Sequence, residues 1–406
     1  MKKTCILVFA LFGAMATLAQ QQAPIPHPAK RGVLRQRIFN AVHRSSGTAN
    51  AISSAQALTA HHDIVWDLGT YPGGTWAEMG GVNDFGVAVA QGDTASNGQP
   101  HLFKIQLLGP NSPKWTDMGA INSNQGWFDW PSIADTGLIV GHVAMSDGNL
   151  HASLWRGKYR IDLGTLADIG YASFDNSDAA LVNKLGTLIC GSSWSSETGT
   201  QFPVVWRLNP HTGNWKIHKL DTLEFPNGFA LTVNDFGQVA GGFYDDTGVY
   251  VAALWNPIPG EEEWKAINLP GSPDWPDVAI VGDINEKGEM VGDVLSPDWM
   301  NGYSSLWQPV DATRQTYKLT LLPNYWNVPN GDTAEGINDF GDIVGGSWDQ
   351  DFVPHAVRWT TKDVSSVQLL DFPGDYSVAY KASDGKIATG LYGIDDTEHA
   401  YAVKLP

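Results

Sequence analysis

Cysteine is nearly absent from the chain: of 406 residues only Cys5 and Cys190 carry a thiol. Residues 1–19 read as a secretory signal peptide, with Lys2 and Lys3 as its charged start, an apolar core from Cys5 to Phe12 and small residues beyond, and Thr17-Leu18-Ala19 as a cleavage site. Its removal leaves one thiol and excludes an intramolecular disulfide. No later stretch is apolar for long enough to cross a bilayer, so no transmembrane segment is expected after cleavage. Basic residues are also scarce. Residues 1–62 hold seven Lys or Arg and no acid, which leaves 18 basic against 43 acidic residues for the remainder. A body this acidic repels nucleic acid and anionic membranes, and no nucleic-acid partner is expected. Metal-ligand spacings, phosphate-binding glycine loops and nucleophile elbows are missing too. Asp349/Asp351 and Asp395/Asp396 lack the remaining oxygen ligands of a calcium loop. The expectation is therefore no metal, no cofactor and no identifiable catalytic residue.

What the chain does have is repetition. Gly336 to Gly346 reads as strand, turn and strand, with Asn338 opening a type I turn and Gly341 in a left-handed position. Similar turns stand at Asn83–Gly86, Asn183–Gly186, Asn234–Gly237 and Asn285–Gly288, with degenerate copies at Ala134–Gly137 and Ala382–Gly385. Successive copies are separated by 51, 49, 51, 51, 53 and 44 positions. Seven copies at a period near fifty, each with four short strand-like pieces, predict an all-β, seven-bladed propeller of four-stranded antiparallel blades over residues 63–406. The last repeat, ending in His399–Val403, lacks a fourth strand, while Ile64–Gly69 is a fourth strand without a repeat. Joining the two closes the ring and leaves no exposed strand edge.

Ile337–Gly345, His151–Trp155 and Asp162–Leu166 resemble the Ile-Asn-x-x-Gly-x-Ile-Val-Gly, His-Ala-x-Leu-Trp and Asp-Leu-Gly-Thr-Leu elements of the HAF-repeat family of bacterial extracellular proteins. The resemblance runs over about residues 63–406 and implies export, to an extracellular or periplasmic location, and a repeat fold. It implies no established activity. A kelch-type propeller is the alternative, since Gly241-Gly242 and Gly345-Gly346 have the kelch glycine pair, but in two repeats only.

Residues 20–62 read as a leader. A Pro-rich stretch from Gln20 to Pro28 precedes a basic segment, Lys30 to Arg44, in which Leu34, Ile38, Phe39 and Val42 fall at helical spacing. The leader is expected to be a mobile arm, cut first by proteases, whose charge suits either the acidic body or an anionic cell surface.

Repeated residues are first assigned to structure. His101, His151, His355 and His399 all open the third strand of a repeat, and Cys190 falls where other repeats have Gly. Non-repeated residues are the better guide to binding. The loops joining second to third strands lie at the same end of the propeller as those leading to the next blade, here the entry face. Eight of the 17 Trp fall near those loops. Glu78, Asp129 and Asp178 each lie five residues before the turn position in three successive blades. Aromatic faces beside carboxylates suit sugars and cationic ligands. The candidate ligand-binding set is Trp76, Glu78, Trp127, Asp129, Trp130 and Asp178, with Trp275, Trp326 and Trp348 on the opposite rim. These point to a binding or scaffold module for carbohydrate or peptide. A glycan-active hydrolase or lyase using the entry-face carboxylates is a second reading, and a purely structural surface protein a third.

Overall fold

Each repeat begins with a hydrogen-bonding problem that its Asn solves. Asn338 Oδ1 accepts the backbone N–H groups of Phe340 and Asp342 at 3.1 and 2.8 Å, and Gly341, at φ +83°, donates its N–H to the Asn338 carbonyl. The donors that a tight reversal would strand are thus satisfied, and the flanking strands pair at once, Ile337 opposite Ile343. The turns opened by Asn83, Asn183, Asn234 and Asn285 repeat the carbonyl bond from their glycines. The last repeat corrects the sequence expectation by one residue. Ala382 stays in the strand, paired with Ala388, and Ser383 opens the turn. Lys386, at φ 60°, takes the left-handed place that Gly fills elsewhere. The ladder decides this register: moving the turn back one residue would break the pairing that keeps Ala379 and Tyr380 buried.

In the computed structural model, residues 65–94, 99–109, 112–121, 131–244, 250–274, 278–296, 302–327, 332–351, 353–370, 374–394 and 397–406 are described. The signal peptide and the basic leader lie outside them. Seven four-stranded antiparallel sheets form the blades. Blades 1 to 6 run in sequence order from inner to outer strand, with inner strands Ala77–Val82, Ser132–Ile133, Asn176–Val182, Asn227–Val233, Ala279–Ile284 and Asp332–Ile337. Blade 7 takes Tyr376–Ala382, Ile387–Ile394 and Thr397–Lys404 from the end of the chain and its outer strand, Val65–Gly69, from the beginning. Val65 pairs with Val403, Trp66 with Ala402 and Asp67 with Tyr401, so the ring closes as the orphan strand predicts.

The repeated side chains fasten one blade to the next. Asn83, Asn234, Asn285 and Asn338 donate their Nδ2 to the carbonyl of the equivalent residue one blade on, at 3.0–3.2 Å. The third-strand Trp206, Trp255, Trp307 and Trp359 donate Nε1 backwards, to the carbonyls of Leu163, Asp221, Pro270 and Pro323 of the preceding blade, at 2.7–2.8 Å. Their rings are fully buried, so each indole adds apolar burial to a bond that leaves no polar atom stranded. The core is accordingly distributed. One buried cluster joins Leu154 and Leu163 of blade 2 to Val204 and Trp206 of blade 3, and others lie at further seams. Two of the four recurrent His are structural as well: His101 meets Asp117 and His151 meets Asp162 at 2.9 Å, each tying third strand to fourth.

Candidate functional site

Two ends of the propeller differ in chemistry. The turn end is closed by a ring of hydrogen bonds. In each blade the residue after the turn-opening position is acidic, apart from Lys184. Asp84 N–H donates to Asp135 Oδ1, Asp135 N–H to the Lys184 carbonyl, and Leu185 N–H to Asp235 Oδ1. Asp235 N–H then donates to Glu286, Glu286 N–H to Asp339, Asp339 N–H to Asp384, and Asp384 N–H to Asp84, which completes the circle. Lys184 Nζ crosses from blade 3 to Asp339 at 2.7 Å, to Asp384, and to Asp84 at 3.7 Å. Its own burial is outweighed by these carboxylates, which raise its pKa. Burial, reinforced by Asp235 and Asp339, pushes the Glu286 carboxyl up to about 7. Burial and the neighbouring Asp339 push Asp384 up to about 6. A second lysine crosses further in. Lys381 of blade 7 meets Asp283 of blade 5 at 3.0 Å, and Asp283 also accepts Thr232 Oγ1 and Ile337 N–H. The axis is therefore occupied by protein ion pairs.

At the entry face the sequence-derived candidates divide. Trp127, Asp129, Trp130 and Trp275 lie outside the described residues. Trp348 is 3% exposed and packs on Val378, Tyr380 and Leu391 at the seam of blades 6 and 7, where its ring is a wedge rather than a rim. Glu78 and Asp178 are buried and held: Gln91 Nε2 donates to Glu78 at 3.0 Å, and His142 lies 2.8 Å from Asp178 across the seam of blades 2 and 3. Glu78 also adds to the rise of the Tyr376 phenol pKa, which burial and the nearer Glu398 begin.

Trp76 and Trp326 are half-buried and stay at the surface. Trp76 is set by Asp93, whose Oδ1 accepts the backbone N–H groups of Thr75 and Trp76 at 2.6 and 3.0 Å. Trp326 is set by Asn324, whose Oδ1 accepts its N–H at 2.7 Å while Nδ2 holds Asp332. Its ring lies 5.3 Å from that of His355, which in turn meets Asp349 at 3.1 Å, and Tyr325 packs edge-on beside it. The indole Nε1 is buried and, among the described residues, has no hydrogen-bond partner. Behind this patch Asp332 is pushed up to about 7 by burial, with Asp293 adding like charge.

Sequence reading missed His142, Asp332 and the carboxylate ring. The ring was partly detectable, since an acid follows the turn-opening residue in five of seven repeats as the sequence places them, and in a sixth once Ser383 opens the last turn. His142 and Asp332 occur once each; a blade seam brings His142 to Asp178, and the loop before the inner strand of blade 6 brings Asn324 to Asp332. Among the described residues no group of three His, Cys, Asp or Glu is arranged to hold a metal ion, and no helix is long and apolar enough to cross a membrane.

No protein-family model and no curated protein sequence matches the chain. Solved structures do. A prolyl endopeptidase studied for the role of inter-domain dynamics matches 96% of this chain with 51% of its own, at 12% identity and a TM-score of 0.52. The propeller domain of the Trilobed protease from Pyrococcus furiosus, described as having an open velcro topology, matches 81% of this chain with 95% of its own, at 8% identity and a TM-score of 0.51. TolB from Acinetobacter baumannii matches 64% of this chain with 54% of its own, at 12% identity and a TM-score of 0.38. The chain thus spans about half the length of the endopeptidase and of TolB. At these identities the likeness is one of fold: this chain is a seven-bladed β-propeller, here with its ring closed by the N-terminal strand.

Proposed function

We propose that the chain is an exported binding or scaffold propeller of the HAF-repeat type, with a carbohydrate or peptide ligand on its entry face. The observation that carries this reading is Trp326. Its ring is half-exposed beside His355 and Tyr325, while its N–H is buried without an acceptor among the described residues. The exposed part of the ring offers a face on which a sugar or an apolar side chain can stack. Asp349 and His355 supply adjacent polar atoms. The turn end offers no comparable mouth, because Lys184 and Lys381 lie across the axis. Binding is preferred over hydrolysis or lysis because Glu78 and Asp178 are already held by Gln91 and His142.

Glycan and peptide arrays probed with the full exported chain test the reading. Each aromatic contact is worth about 1 kcal/mol, so Trp326→Ala and Trp76→Ala should each weaken a captured ligand several-fold. Asp129→Asn separates the classes: a binding protein keeps most of its affinity, whereas an enzyme loses turnover and retains substrate. A ligand whose affinity is unchanged by both Trp variants, with both still folded, would move the site elsewhere.

A further inference from the structure

We propose that the turn face of the propeller is the docking surface for the chain's own basic leader segment, Lys30 to Arg44. Three features of the face converge on that occupant. The first is unbalanced charge. Six carboxylates share one ring, and Lys184 reaches only Asp84, Asp339 and Asp384. Asp135 and Asp235 are half-buried and, among the described residues, have no ion-pair partner, while at Glu286 the Arg314 guanidinium donates to the backbone carbonyl at 3.1 Å.

The second is exposed apolar surface on the same turns. Phe85, Leu185, Phe236 and Phe340 follow the ring residues directly and are 65%, 58%, 62% and 49% exposed. Apolar side chains this open, grouped around one axis, mark an interaction surface rather than packing. The ring faces there already accept cations: Arg314 lies 4.9 Å from the Phe236 centroid and Lys386 4.8 Å from that of Phe340. The face therefore fits a partner that is both apolar and cationic. The segment Lys30 to Arg44 is such a partner, with Leu34, Ile38, Phe39 and Val42 among five basic residues and no acid.

The third is where the chain enters the fold. Val65 pairs with Val403, next to the Ile387–Lys404 pair that adjoins the last turn, and Leu405 N–H donates to the Lys386 carbonyl of that turn. The outer strand of blade 7 thus starts at the turn face, and the leader reaches the propeller on the side of the carboxylate ring. Twenty residues separate Arg44 from Val65. A flexible chain of that length spans about 25 Å on average and ~65 Å at full stretch, enough to run from the rim of blade 7 to the axis. Tethering keeps the segment at about millimolar effective concentration, so weak screened contacts suffice. A second copy presenting the same acidic ring, or an anionic membrane, would be repelled.

Carbodiimide coupling of the full exported chain tests this, because Lys30 is the one leader lysine left after signal cleavage. Coupling of Lys184 to Asp339 or Asp384 serves as the internal control. At low ionic strength Lys30 should link to Asp135, Asp235 or Glu286 within one molecule, and high salt should suppress those links several-fold. Amide exchange across Lys30 to Arg44 should be slowed at low salt and should speed up in Phe85→Ser/Leu185→Ser, whose exposed sites carry no risk to the core. Links spread over both faces would overturn the proposal. So would protection indifferent to salt and to the double variant, or links that vanish on dilution, which would assign the face to a second copy.

Discussion

Asn285 illustrates how much one side chain does in this protein. Its Oδ1 accepts from Lys287 and Glu289, and its Nδ2 reaches Glu289 and the Asn338 carbonyl of the next blade. Several net bonds of about 0.5–1.5 kcal/mol each are lost in Asn285→Ala, which also strands buried N–H groups. Denaturant unfolding should show a loss of about 2–4 kcal/mol, and Asn285→Asp should fare no better, because it keeps the acceptor but sets a carboxylate oxygen against Glu289 and the Asn338 carbonyl. Equal stability of the alanine variant and the parent would mean that the turn closes without its staple. The Asn was legible in the sequence as a turn former. Its bond to the next blade was not, because that partner is some fifty residues away and is named only once the blades are stacked.

The outer strand Val65–Gly69 shows the same division for a whole element. Its orphan status and its destination followed from counting strands per repeat, and its register with Thr397–Lys404 agrees. Removing residues 63–71 would expose the edge of Thr397–Lys404 and uncover the cluster to which Leu68 and Trp66 contribute. The melting temperature should fall clearly, whereas removing residues 20–55 should change it far less. An unchanged melting temperature in the first deletion would argue that blade 7 holds without a fourth strand. The turn of this blade was less legible. Asp384-Gly385 offers Gly to the left-handed site, yet the pairing of Ala382 with Ala388 puts Lys386 there instead.

Across the whole molecule, acidity is concentrated where the blades converge, and stability should follow pH accordingly. Glu286 and Asp332 are raised to about 7 and Asp384 to about 6 by burial, aided by like charges nearby. A carboxyl raised by folding binds its proton more tightly in the native state. The stability it contributes is therefore full below the ordinary carboxylate range and is lost as pH rises through 6 to 7. Asp339 and Asp342 act in the opposite sense: hydrogen bonds and cations outweigh their burial, and their contribution is lost only in stronger acid. The melting temperature should be highest just above the ordinary carboxylate range and decline from there to about pH 7. Asp332→Asn should flatten that decline, since its Oδ1 can still accept from Asn324. A melting temperature rising steadily to pH 8 would contradict the assignment.

The sequence by itself determined the architecture. A fifty-residue period, four strand-like pieces per period and one orphan strand admit few closed solutions, and periodic patterns survive folding because each blade repeats the same local problem. It also ranked the tryptophans by position but could not sort them by use. Trp326 and Trp348 both flank entry-face loops, yet one is left with an unanswered N–H and the other is sealed between blades 6 and 7. The difference lies in neighbours contributed by other blades. Glu78 and Asp178 read as one acidic set from their common offset, but the structure gives them separate partners, Gln91 in the same blade and His142 across a seam. Tertiary structure alone decided which carboxylates are held, which face is closed and at which end the strand from Val65 begins, because each depends on distances between residues that the chain keeps far apart.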